Sequence, residues 1–82
     1  MTLNDFMESF LNIGMLSHIQ IVVLHSDGME TSSWDMDVDY KKTLYEISAT
    51  YGDLRFESFI LFTEAESITI NLKGETADDQ TK

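Results

Sequence analysis

The side chains best placed for chemistry are carboxylates. Asp35, Asp37, Asp39 and Glu46 stand at positions 1, 3, 5 and 12 of the spacing by which an EF-hand loop surrounds calcium. Such a loop needs glycine at its sixth position for a sharp turn, but Tyr40 stands there, followed by the cations Lys41 and Lys42. It also needs a helix on each side, whereas residues 19 to 25 and 29 to 36 read as β-strands. No metal site is expected. His18 and His25 are seven residues apart on one strand, so their side chains should point to opposite faces and cannot share a ligand. Ser26 and Asp27 beside His25 echo hydrolase residues, yet nothing nearby supplies the ordered base and oxyanion site that acyl transfer requires. The four glycines are isolated, so no phosphate-binding loop exists. Neither catalysis nor a cofactor is expected.

Read as a strand, the same acids take on another meaning. Trp34, Met36, Val38 and Tyr40 alternate with Asp35, Asp37 and Asp39, which would form an outward row about 6.6 Å apart. Asp27 and Glu30 extend it, so residues 27 to 39 carry five acids and no base. Such a row resembles the regular charges of a nucleic-acid backbone and would fit a basic cleft. Alternatively it is a solvated strand face, with Asp39 capping the helix that follows.

Charge points the same way. Fifteen Asp and Glu against five Lys and Arg give a net charge of −10. Nucleic acid is a poor direct partner, because binding it depends on Lys and Arg displacing counterions from phosphates; an anionic membrane is disfavoured likewise. A basic, nucleic-acid-handling protein is the partner such a surface attracts, although negative charge also serves solubility. There is no cysteine, no basic leader and no apolar run near the roughly 18 residues that span a bilayer, so a soluble cytoplasmic protein is expected.

Periodicity gives the helices and strands that carry these acids. Leu3, Phe6, Met7, Phe10 and Leu11 form a helical apolar stripe, opened by a capping box of Thr2 with Asp5 and stopped by Gly14. Residues 18 to 25 are a β-branched strand, apolar on both faces at its centre, which suits a strand covered on both sides or placed mid-sheet. Asp27-Gly28 predicts a hairpin whose two turn residues take positive φ. A second helix is expected from about Asp39 to Tyr51 with Gly52 as its stop, then strands over 54 to 63 and 67 to 73. The order αββαββ predicts an α+β domain over residues 1 to 73: a four-stranded, mainly antiparallel sheet with both helices on one face, its strand order undetermined. Residues 74 to 82 read as a flexible polar tail.

Most aromatics fall at core-facing positions. Tyr45, off the apolar stripe of the second helix, reads as an exposed partner contact. Around Phe59, in Phe56-Glu57-Ser58-Phe59-Ile60-Leu61-Phe62, both strand faces become apolar, so the strand is either central or covered on one face by a partner subunit.

In size, in its helical opening Thr2 to Phe10 and in the acidic stretch Asp27 to Asp39, the chain resembles small accessory proteins of phages and mobile elements, including anti-CRISPR proteins. The resemblance implies an inhibitor that occupies the recognition surface of a bacterial defence complex. The expectation is therefore a non-enzymatic inhibitor of a basic protein, such as a CRISPR effector or nuclease, bound through Asp27, Glu30, Asp35, Asp37, Asp39 and Tyr45. The alternative is a self-associating structural or regulatory module that uses strand edges and the Phe59 face.

Overall fold

A computed structural model describes residues 1–10, 16–36 and 40–76. Helix α1 (Leu3–Phe10) opens the chain, followed by strands β1 (His18–His25) and β2 (Gly28–Asp35), helix α2 (Tyr40–Tyr51), and strands β3 (Leu54–Phe62) and β4 (Ser67–Thr76). The expected α+β order is present. The four strands form one sheet in the order β2-β1-β4-β3.

Both hairpins are antiparallel, but the central pair, β1 with β4, is parallel. The sheet is therefore mixed rather than mainly antiparallel. Each hairpin places one strand inward, β1 or β4, and their parallel register sets Ile19, Ile21 and Val23 beside Ile68, Ile70 and Leu72. Strand β4 continues through Thr76, three residues past the expected end at Lys73. Residues 77 to 82 of the expected tail lie outside the described residues, as do Gly14 and Asp39, the expected helix stop and cap.

Strand alternation sorts the side chains by face. Ile19, Ile21 and Val23 of β1 and Ile68, Ile70 and Leu72 of β4 turn to one face, where Leu3 and Phe6 of α1 and Ile47 and Tyr51 of α2 cover them. Both helices thus pack on the same core. The other face carries His18, Gln20, Val22 and Leu24 beside Ser67, Thr69, Asn71 and Lys73, and has no helix over it among the described residues.

The helix ends are fastened as their sequences require. The Asp5 amide donates to Thr2 Oγ1 and the Thr2 amide to Asp5 Oδ2, both at 3.1 Å, closing the expected capping box. The bonds from Thr2, backbone first, hold the Asp5 carboxyl below the usual aspartate range. The Asn4 amide, an orphan donor of the first turn, donates to the Gly52 carbonyl at 3.0 Å. The Ser48 hydroxyl donates to Asn4 Oδ1 at 2.7 Å. Any side chain at Gly52 would collide with the Ser48 carbonyl and the Asn4 amide, so glycine here permits the close approach of α1 to the end of α2.

Candidate functional site

The acids singled out from the sequence divide between two faces and a turn. The β1–β2 hairpin pairs His25 with Gly28, so its turn residues are Ser26 and Asp27 rather than Asp27 and Gly28. Neither Ser26 nor Asp27 has positive φ; Glu66 is the one non-glycine residue with it among those described. Asp27 sits at the hairpin tip. From there the register sets Glu30 opposite Val23, on the helix-covered face, and Asp35 opposite His18, on the open face. The described strand ends at Asp35, and Asp37 and Asp39 lie outside the described residues.

Each of the two placed strand acids is held by a histidine of β1. On the open face, His18 Nδ1 and Asp35 Oδ1 are hydrogen-bonded at 3.0 Å, with the Asp35 side chain 78% exposed. On the other face, His25 Nε2 lies 3.2 Å from Glu30 Oε1, and the Tyr51 hydroxyl donates to Glu30 Oε2 at 3.0 Å. Because Tyr51 has one proton and a carboxylate only accepts, the Ser32 hydroxyl, 3.0 Å from the Tyr51 oxygen, is the donor in that contact. The bond from His25, then that from Tyr51, lowers the Glu30 carboxyl below the usual glutamate range. The two histidines do lie on opposite faces.

The ring of His25 lies over Gly74 of β4, where even a methyl group would collide with it. Leu24, His25, Ser26, Asp27, Lys73, Gly74 and Glu75 line a shallow depression at this end of the sheet. It brings acids and a single lysine together around the hairpin tip. Tyr45 is 75% exposed on the outward side of α2. It borders a groove with Asn4, Met7 and Glu8 of α1, and so lies in the helix layer rather than on the acidic strand.

Of the EF-hand positions, Asp35 ends a strand and Glu46 lies within α2, so the preceding element is a strand where that motif needs a helix. Among the described residues, no group of three or more His, Asp or Glu side chains could hold a metal ion, and no helix is long and apolar enough to cross a membrane.

The meeting of His25, Glu30 and Tyr51 was only half visible in the sequence. Hairpin register alone puts His25 and Glu30 on one face, since Glu30 faces Val23 two residues away. Tyr51 arrives through the docking of α2, where its ring meets Trp34 edge-on at 6.0 Å, and no local pattern encodes that. No family model, curated protein or solved structure matches the chain.

Proposed function

We propose that the protein is a non-enzymatic binding domain whose acidic β1–β2 hairpin engages a basic, nucleic-acid-handling protein and inhibits it by standing in for a nucleic-acid backbone. The observation that carries this reading is the make-up of β2 as an edge strand. It follows an acid at the tip, has one acid on each face and has no base between residues 27 and 39. An edge strand offers unpaired main-chain groups to a partner, and carboxylates flanking that edge select a cationic one. The hydrogen bonds from His25 and Tyr51 keep Glu30 ionised, which supports the same role. Within this reading an anti-CRISPR protein and an antitoxin directed against a nuclease are equally good descriptions.

The test is capture from a bacterial extract with the tagged protein and with a variant carrying Asp27→Asn, Asp35→Asn, Asp37→Asn and Asp39→Asn. The wild type should retain basic nucleic-acid-handling proteins that are released as ionic strength approaches about 1 M, where the screening length falls to about 3 Å. The variant should retain none of them. A folded variant that retains the same proteins refutes the proposal.

A further inference from the structure

The opposite edge of the sheet is built for something else. Strand β3 lies at that edge, which excludes the central position its apolar faces suggested. Phe59, Ile60, Leu61 and Phe62 remain 47%, 52%, 49% and 49% exposed, four consecutive large apolar side chains on an edge strand. Phe59 and Leu61 pair with Ile70 and Ile68 on the helix-covered face, while Ile60 and Phe62 pair with Thr69 and Ser67 on the open face. The run therefore projects on both sides of the sheet at once. Natural edges are usually blunted by charge, proline or a covering element, and residues 58 to 62 contain no charge and no proline.

The start of the edge is already taken. Thr2 bridges antiparallel to Arg55, and the Phe56 amide donates to the Met1 carbonyl at 2.9 Å. Among the described residues nothing else lies along β3 on that side, so the free edge runs from Glu57 to Phe62.

We infer that the occupant of this free edge is a second copy of the chain, whose β3 pairs antiparallel with the first about a two-fold axis at Ile60. A two-fold perpendicular to the sheet must pair side chains of the same face, which restricts the choice of registers. Centring it on Ile60 pairs Phe59 with the partner copy's Leu61 on the helix-covered face. On the open face it pairs Ile60 with its own symmetry mate and Phe62 with Ser58. Glu57 then meets Thr63 rather than another carboxylate. The pairing uses residues 58 to 62 and stops where Met1 and Thr2 begin.

The area suffices. With large side chains carrying roughly 200 Å² each, the four half-exposed residues of two copies offer roughly 800 Å², and the strand backbones with Met1 at the rim bring the area available to about 1,000 Å². That is the lower end of specific interfaces and fits a micromolar dimer. Because each chain carries a charge of −10, screening their repulsion should tighten this dimer as salt is added, the reverse of what an acidic edge on a basic partner would do. The inference stands apart from the proposed function, and either can fail alone.

The test is sedimentation equilibrium of the full chain across salt concentrations, with Ile60→Glu, Ile60→Lys and, on the other edge, Met29→Glu. Position 60 is half-exposed on the open face, so both substitutions should leave the fold intact, as circular dichroism will report. The wild type should dimerise more tightly at high salt, and Met29→Glu should dimerise at least as well as the wild type once salt screens its added charge. Ile60→Glu and Ile60→Lys alone should each weaken dimerisation by at least about 100-fold, since like charges then face each other across the axis. An equimolar mixture of the two variants should restore a dimer, because only a two-fold at this position brings opposite charges together. A wild type that stays monomeric at about 200 μM, a dimer indifferent to the position 60 variants, or a mixture that fails to re-form would each overturn the inference.

Discussion

Strands β2 and β3 occupy the two edges of one sheet, each the outer member of a hairpin, yet they treat their open side in opposite ways. Strand β2 (Gly28–Asp35) exposes hydroxyls, Glu30 and Asp35, and ties both acids back to the histidines of β1. Strand β3 exposes Phe59 to Phe62 and ties down only its first residues, through Met1 and Thr2. Charge protects an edge against its own kind while leaving it open to a cationic partner; an apolar edge selects a self-complementary surface instead. On the two readings proposed above, one small sheet would carry two edges with opposite salt responses.

Both edges depend on an intact sheet between them, and the largest effect should come from removing that support. Ile70 is fully buried, pairs with both Ile21 and Phe59 and lies under the helices. Ile70→Ala should cost about 2–5 kcal/mol in urea unfolding, which would disable both edges together. A smaller loss that spared either edge would mean the two hairpins hold their shape independently.

A change confined to the β2 side should cost less. Tyr51→Phe removes the hydroxyl shared by Glu30 and Ser32 and should lower stability by about 1 kcal/mol, with the dimerisation assigned to β3 unchanged. The same variant should bring the Glu30 carboxyl part of the way back toward its ordinary range, measured by NMR titration.

The pH response sharpens the contrast further. Because the folded Glu30 pKa is depressed, its contribution to stability is present above the ordinary glutamate value of about 4.3 and is lost as pH falls through the lower folded value. Glu30→Gln should therefore flatten the acid side of the stability profile. Gly74→Ala should act similarly from a distance, by displacing the His25 ring from its place over β4 and breaking its bond to Glu30. If the depression of Glu30 persists in Gly74→Ala, the ring has found another route to the carboxylate. The smallest effect belongs to Met29→Glu, at an exposed position of the acidic edge, where stability should change by no more than about 0.5 kcal/mol.

How far the sequence disclosed this arrangement follows from the range of each signal. Helix α1 with its Thr2–Asp5 cap, both hairpins and α2 were legible, because apolar periodicity, turn residues and caps act over a few neighbouring positions. The mid-sheet place of β1 was one of the two readings that Ile21, Val22 and Val23 in succession allowed, the other being a strand covered on both faces. The hairpin turn was misplaced by one residue, since Asp27-Gly28 satisfies the usual turn chemistry while the observed register makes Gly28 the first residue of β2. The parallel pairing of β1 with β4 had no local signature, and sequence alternation could not choose which strand becomes an edge. Of the candidate site, the parity that separates His18 from His25 was readable. The split of Glu30 and Asp35 between faces was equally implicit in their odd spacing, but grouping the acids by sequence concealed it. The docking of Tyr51 against Glu30 depends on tertiary packing.

The central parallel pair also sets the order in which the molecule can assemble. Every partner across it is separated by 49 residues, as Gln20 and Thr69 are, whereas each hairpin closes over a short turn. Loop-closure entropy therefore lets the two hairpins form early and makes their joining the slow, committing event. Until β4 arrives, Ile19, Ile21 and Val23 of β1 have no strand beside them on that side. Amides along the β1–β4 seam should accordingly exchange with solvent only through global unfolding, while the β2 amides, at the acidic edge, open first.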